Sequence, residues 1–521
     1  MAGIWRVKSV EQSIAETDEP GHRLKRTLRA WDLVVFGVGV IIGTGIFVLT
    51  GQQAATNAGP AVVLSFLLAG VTCGLAALCY AELASTVPVA GSAYTFSYAT
   101  LGELVAWIIG WDLLLELMLG AAVVARGWSA YLASLLDLPP WLAGDTARPD
   151  VAAIAIVVVL ALLLIRGSKA SSRFTGVLVV VKVAIVLFVI GLGAMYIDTG
   201  NYSPFVPPAE ASEGAGGSVL HQPIVQAFLG LEPTHFGAFG VVAAASVVFF
   251  AYIGFDIVAT TAEETQNPQR DMPRGILGSL AICTVLYMAV SFVLTGMVPY
   301  GELNTGAPLA EAFEAVGITW AARLIALGAV AGITSVILVL MLGQTRVLFA
   351  MSRDHLLPPS LARVHPRFGT PWLITVVVAG AVAILAGFVP LSALSELVSI
   401  GTLFAFVVVC LGVLVLRRTR PDLPRAFRTP GAPVVPILGV VACGWLMINL
   451  PLETWLRFLA WMVIGLVIYV LYGRRHSRLG RSLAGAPAAA GPGGGTGAVG
   501  AAGVVGTGGT TASGEGEHPA R

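Results

Sequence analysis

The sequence predicts an all-α integral membrane protein of twelve transmembrane helices. Two five-helix units of opposite orientation come first, and two additional C-terminal helices follow. Three observations carry this. Hydrophobic residues make up 56% of the 521-residue chain and charged residues only 11%, which leaves more apolar surface than one soluble core hides. Apolar segments of about 18–25 residues recur, each long enough to span a bilayer. Helix-breaking residues fall inside the first and sixth segments, and an odd number of spans per unit inverts the second copy.

The first five spans are expected at Trp31 to Gln52, Pro60 to Glu82, Leu101 to Leu132, Val151 to Ile165 and Thr175 to Tyr196. The next five run from Phe239 to Thr261, Gly275 to Val298, Ala321 to Gln344, Trp372 to Val389 and Leu391 to Leu416. Val434 to Leu450 and Thr454 to Tyr472 complete the set, the fourth and eleventh being the shortest or proline-interrupted. This divides the chain into an N-terminal segment (1–30), a first repeat (31–198), a connection (199–238), a second repeat (239–416) and helices 11 and 12 (417–473). A Gly/Ala-rich tail (474–521) is expected to be disordered.

Loop charge predicts the orientation. Arg23, Lys25, Arg26 and Arg29 precede the first span, and arginines crowd the exits of spans four, eight, ten and twelve. The connections 197–237 and 299–320 carry no Lys or Arg. By the positive-inside bias both termini are cytoplasmic, in the cell membrane. The first thirty residues lack a signal peptide's order, so the first span is expected to direct insertion. Net charge near zero gives no case for nucleic acid. The five cysteines lie within apolar segments without metal spacing, and no cofactor motif is present.

The first span contains Gly37-Val-Gly-Val-Ile-Ile-Gly-Thr-Gly-Ile-Phe47. Each glycine weakens a helix by about 1 kcal/mol relative to alanine. In hydrocarbon, a loosened turn survives only where protein or a water-filled cavity satisfies its backbone. Such breaks suit a dipolar ligand, with a half-helix N-terminus facing an anion and free carbonyls facing a cation. Close helix packing through small residues is the competing reading. The sixth span holds Phe249-Phe-Ala-Tyr-Ile-Gly-Phe-Asp256, placing Gly254 and Asp256 mid-membrane. An intramembrane acid is costly enough to be functional by default, a buried helix–helix hydrogen bond being the alternative.

Several long strings carry a resemblance: GVGVIIGTGIFVLTG from Gly37, AELASTVPVAGSAYTFSY from Ala81 and GWDLLLE from Gly110. FFAYIGFD from Phe249, AEETQNPQRDMPRGI from Ala262 and GQTRVLFAMSRDHLLPP from Gly343 extend it. Over roughly residues 25 to 475 the chain resembles the amino acid–polyamine–organocation superfamily, specifically bacterial members of the cationic amino acid transporter family. His355 departs from the glycine of many relatives, in a loop outside the transport core. The resemblance implies a LeuT-like inverted 5+5 repeat with broken helices 1 and 6. Amides of Thr44, Gly45 and Ile46 would receive the substrate carboxylate. Carbonyls of Ile41, Phe250, Ala251 and Ile253 would accept its ammonium. Tyr252 and Phe255 would close the pocket or pack into the core, with Asp256 in support.

Glu116 lies at membrane depth in the third span, where the resemblance puts it in the side-chain pocket facing Met341. A carboxylate there suits Arg or Lys substrates. Pairing with Arg126 is the alternative, but ten residues of helix span about 15 Å. Asp112 has no assignment. Lys182 is the only lysine inside a span, about 12 Å of helix from the expected cytoplasmic end, beyond comfortable snorkelling. The resemblance puts it beside broken helix 1, where sodium-driven relatives hold their ion. A lysine can release its proton where an arginine cannot, which makes Lys182 the candidate for proton coupling.

One charge crossing about 100 mV yields about 2.3 kcal/mol, or roughly fifty-fold accumulation of a neutral substrate. The sequence thus implies a non-enzymatic secondary transporter importing L-amino acids, cationic or broad-range, by proton symport. Its partners are the amino acid, the proton and the bilayer, and the oligomeric state is left open. Exchange or uniport is the runner-up, and a non-transporting amino acid sensor is the reading from another class. An embedded enzyme is disfavoured because no catalytic motif occurs and all seven histidines are loop or tail residues.

Overall fold

The computed structural model describes residues 6–8, 26–89, 92–144, 147–167, 169–211, 219–230 and 234–485. The Gly/Ala-rich stretch after residue 485, most of the N-terminal segment and parts of the 199–238 connection lie outside the described residues. Between its loops the described chain is helical, with one two-residue antiparallel pair, Glu210–Ala211 with Thr234–His235, and two isolated bridges, Leu28 with Thr265 and Pro223 with Pro451. Eight of its helical runs are long and apolar enough to cross a membrane, and four shorter apolar helices accompany them. In lipid a helix satisfies its own backbone, so this is what a chain of such composition adopts when it passes the membrane repeatedly.

The first half contains α1 (Ala30–Ile41), α2 (Val62–Thr86), α3 (Glu103–Leu136), α4 (Val151–Arg166) and α5 (Lys169–Gly193). The second contains α6 (Gly237–Val248), α7 (Pro268–Met297), α8 (Thr319–Arg353), α9 (Trp372–Phe388) and α10 (Leu391–Thr419). α11 (Val434–Ile448) and α12 (Leu452–Ile468) complete the set. Local chemistry marks several starts. Asp32 Oδ2 accepts the Arg29 amide at 2.9 Å before α1, Pro268 opens α7, and Asp150 Oδ1 caps α4 through the Ala153 amide at 3.0 Å. Burial holds the Asp150 carboxyl above its usual range, although Ser129 Oγ and the Ala153 amide both donate to it.

Two helices do not run through. α1 stops at Ile41, Ile42 turns extended (φ −70°, ψ 102°), and a wide π turn over Gly45–Leu49 resumes the helix. α6 tightens into a 3₁₀ turn over Phe249–Tyr252 and breaks at Ile253 (φ −60°, ψ 133°). Gly254 follows at φ +128°, a conformation that demands glycine, and Phe255–Val258 resumes.

The packing is paired. α3 lies along α8, α2 along α7 and α4 along α9. α1 packs on α7 as α6 packs on α2, α10 on α3 as α5 on α8, and α9 on α3 as α4 on α8. The α1–α7, α3–α10 and α3–α9 contacts therefore recur between elements five positions away. α11 packs on α10, and α12 on α10 and α3. Outward-facing Val180, Val285, Ile384, Val441 and Val463 are exposed, the apolar surface expected towards lipid. α3 is largely encased, as are both breaks.

Arginines concentrate at the ends of α4, α8, α10 and α12 and in the connections after them, with Arg148, Arg323 and Arg457 among those elsewhere. The buried Glu82 of α2 receives Arg417 of α10 through two hydrogen bonds of 2.8 and 2.6 Å, and the Thr429 amide at 2.7 Å. The Thr27 and Leu28 amides donate to Glu264 O at 2.8 and 3.0 Å, tying the entry of α1 to the exit of the sixth span.

Candidate functional site

The two breaks face each other at the centre of the helix bundle. A Cβ added at Gly45 would fall on Ala251, and one added at Gly254 would lie 2.8 Å from Val40 Cγ1 and 3.2 Å from the Ile41 amide. The space beside Gly45 is thus filled by Ala251, which gives this glycine a packing role. The Ile46 amide donates to Gly43 O at 3.2 Å, and Ile46 O accepts Thr50 Oγ1 at 2.9 Å. Thr44 Oγ1 is 3.5 Å from Val124 O, and Gly127 of α3 makes room for the Thr44 side chain.

Tyr287 of α7 stands between the carbonyls of the two breaks. Its hydroxyl is 2.7 Å from Ile41 O and 2.9 Å from Ala251 O. One hydroxyl proton serves two acceptors, so the pair retains acceptor capacity for a further donor. Phe250 O accepts the Ile253 amide at 3.1 Å inside the tight turn. The Phe250 ring reaches Gly120 of α3, and Ile253 is buried. Tyr252 turns away: its hydroxyl donates to Phe66 O at 2.8 Å, and its ring packs on Phe66 and Tyr287. Phe255 sits between Tyr80 and Phe406, with ring centroids 5.7 and 5.0 Å away. Asp256 Oδ1 accepts the Gly254 amide at 3.1 Å, a local cap that holds the sixth-span break.

Lys182 is fully buried on α5, and its ammonium bridges α1 and α8. Nζ donates to Gly39 O, to Ile42 O at 3.1 Å and to Ser335 Oγ at 3.1 Å. These three acceptors use all three ammonium protons. Gly332 of α8 clears the path, since a Cβ there would lie 2.6 Å from Lys182 Cβ. Ser335 in turn donates to Gly332 O at 2.7 Å. The carbonyls that α1 leaves open at its break are therefore held by a side chain from outside the first helix.

Glu116 is buried on α3, and neither of its carboxylate oxygens has a hydrogen-bond partner among the described residues. Asp112, one turn away on the same face, is likewise buried and without a partner, beside Gly401 of α10. Arg126 does not pair with Glu116: it donates to Ala386 O at 2.9 Å and Ala147 O at 3.3 Å. Met341 is fully buried on α8, where Gln344 Nε2 donates to Leu114 O at 3.3 Å and holds α8 to α3.

Tyr287, Ser335 and Gly332 escape sequence reasoning. A tyrosine, a serine and a glycine inside apolar helices carry no signal until a neighbouring backbone arrives. Only the mid-span position of the Tyr287 hydroxyl, which needs a partner in lipid, could have marked it.

A family described as amino acid permease matches residues 28–472. The chain is 45% identical over 92% of its length to a methylthioribose transporter of Bacillus subtilis, all of which is covered. It is 45% identical over 91% to the branched-chain amino acid permease BcaP of the same organism, covering 99% of that protein. A cationic amino acid transporter of Arabidopsis thaliana is 40% identical over 76% of this chain and 64% of its own. With paired broken helices meeting inside a multi-pass bundle, and a family match across nearly all of that bundle, the chain belongs to the amino acid permeases of the amino acid–polyamine–organocation superfamily, a family of transporters and not of enzymes.

Proposed function

We propose that the protein imports L-amino acids across the cytoplasmic membrane by proton-coupled alternating access, both termini lying in the cytoplasm. Residues 31–198 and 239–416 form the inverted LeuT-like pair, with helices 11 and 12 appended. The recurrence of the α1–α7, α3–α10 and α3–α9 contacts five elements on supports the repeat. The concentration of arginines after α4, α8, α10 and α12 supports the orientation.

One observation carries the mechanism: the Lys182 ammonium spends all its donors on the broken first helix and on α8. When it is protonated, α1 is tied to α5 and α8. Loss of the proton removes one donor and the charge, which loosens α1 and lets the bundle rock. The substrate lies on the other side of the break, its carboxylate towards the amides at Thr44–Ile46, where the Ile46 amide would exchange Gly43 O for it, and its ammonium towards the Ile41 and Ala251 carbonyls beside Tyr287. Phe250, Met341 and Glu116 surround its side chain.

An acid without a cation partner favours Arg or Lys among the substrates. The second reading is a branched-chain amino acid or methylthioribose, favoured by the names of the two Bacillus relatives. Uptake of labelled Arg, Lys, Leu, Val, Ala and methylthioribose into proteoliposomes, with and without an acidic exterior, tests both. Saturable uptake driven by the gradient is expected. Uptake only against a preloaded amino acid would mean exchange, and binding without flux would mean a sensor.

A further inference from the structure

We propose that the groove between the start of α7 and the α10–α11 connection is a binding site for an anionic phospholipid headgroup. It is an open groove of about 600 Å³, lined by Arg270, Arg274, Leu277, Gly278, Ala426 and Phe427 among others. That is within the range of about 300–1,000 Å³ that holds small molecules. Arg270 and Arg274 are one helical turn apart, so both guanidinium groups reach the same mouth.

Neither has an acidic partner among the described residues, unlike several of the neighbouring arginines. At this end Arg417 and Arg425 share Glu82, Arg346 meets Glu264, and Arg420 meets Asp422. Arg270 and Arg274 are exposed and have no acid within 4 Å among the described residues, while Asp271 between them turns into the protein. Two forked cations over an apolar floor complement a phosphate that is tethered to hydrocarbon.

The depth fits the same ligand. Gly278 packs against Val34 of α1, whose first turn presents Trp31 at 69% exposure, an aromatic at the level where headgroups meet hydrocarbon. Beyond Leu277 and Gly278 the outer face of α7 continues through Ala281, Ile282 and Val285, an exposed apolar track for an acyl chain. A free anion would use the arginines and leave that track idle. The inference requires that the chain spans a bilayer, not that it faces either way or couples to protons, so its failure would leave the proposed transport untouched.

The test is native mass spectrometry of the full-length, delipidated protein titrated with dioleoyl phosphatidylglycerol or dioleoyl phosphatidylcholine. The parent is expected to retain phosphatidylglycerol preferentially. Each arginine is worth about fivefold in affinity for an anionic lipid surface, so R270Q/R274Q should lose roughly thirtyfold. R363Q, exposed at the same end outside the groove, should lose nothing. Equal retention of the two lipids, or a double variant that matches the parent, would overturn the proposal. So would displacement of the lipid by glycerol phosphate or inorganic phosphate at comparable concentration, which would mark a soluble-anion site. Photoactivatable phosphatidylglycerol on the unaltered protein needs no variant: cross-links should map to 269–278 and 426–427, and labelling confined to other peptides would refute the site.

Discussion

Gly45 and Ala251 meet with no side chain of Gly45 between them, so the two broken helices touch where only a hydrogen fits. A leucine at position 45 would have to displace the sixth-span break, as well as crowd any ligand there. Gly45→Leu is therefore expected to abolish substrate binding and also to lower the Tm in detergent. Even Gly45→Ala should cost about 1–3 kcal/mol through overpacking. Binding and thermal unfolding measured on the same samples check this, and parental values for both would remove the contact from the mechanism.

Lys182 should carry the coupling. Lys182→Ala leaves Gly39 O and Ile42 O without their donor and removes the titrating charge. Gradient-driven accumulation in proteoliposomes is expected to vanish while substrate binding survives. Lys182→Arg should not restore it, because a guanidinium keeps its proton at any accessible pH. If Lys182→Ala still concentrates substrate when the exterior is acid, the proton travels by another group.

Tyr287→Phe isolates the hydroxyl that spans the two breaks. The ring contacts with Phe66 and Tyr252 persist, but Ile41 O and Ala251 O lose their shared donor. Leaving buried acceptors unpaired costs about 1–3 kcal/mol. Substrate affinity should fall by about tenfold or more for a loss above 1.4 kcal/mol if the hydroxyl orients the carbonyls that take the ammonium. An unchanged affinity with a lowered Tm would assign Tyr287 to stability alone.

Glu116→Gln keeps the shape of the side chain and removes the carboxylate. Competition by Arg and Lys should weaken relative to Leu and Ala, measured as a ranking within one panel. The same ranking in variant and parent would make Glu116 structural and would favour the branched-chain reading.

Glu82 and Arg417 join α2 to α10 through a bidentate pair that the Thr429 amide completes. Arg417→Ala leaves a buried carboxylate with Arg425 at 3.5 Å as its remaining ionic partner. Breaking a buried pair from one side costs about 3–5 kcal/mol, and the partial exposure of Arg417 puts this case at the lower end. A lower Tm is expected, whereas Glu82→Gln/Arg417→Met should recover most of it.

The membrane class, the approximate positions of the helices and the two interruptions were legible because they depend on local sequence. A run of apolar residues long enough for the bilayer has one low-energy backbone, and Gly254 at φ +128° marks a break that no other residue type adopts as readily. Lys182 and Glu116 stood out for the same reason, since a charge at that depth is conspicuous against its neighbours. What each one touches was not legible. The acceptors of Lys182 come from the end of α1 and from α8, 140 or more residues away in either direction, and Tyr287 reaches back 246 residues to Ile41. Nor could the sequence say that Ala251 fills the space beside Gly45, or that Arg126 turns to the backbone at Ala386 and Ala147. Burial in lipid is decided residue by residue along the chain. Which donor meets which carbonyl is decided by how the helices pack, and only the folded bundle brings those partners within hydrogen-bond reach.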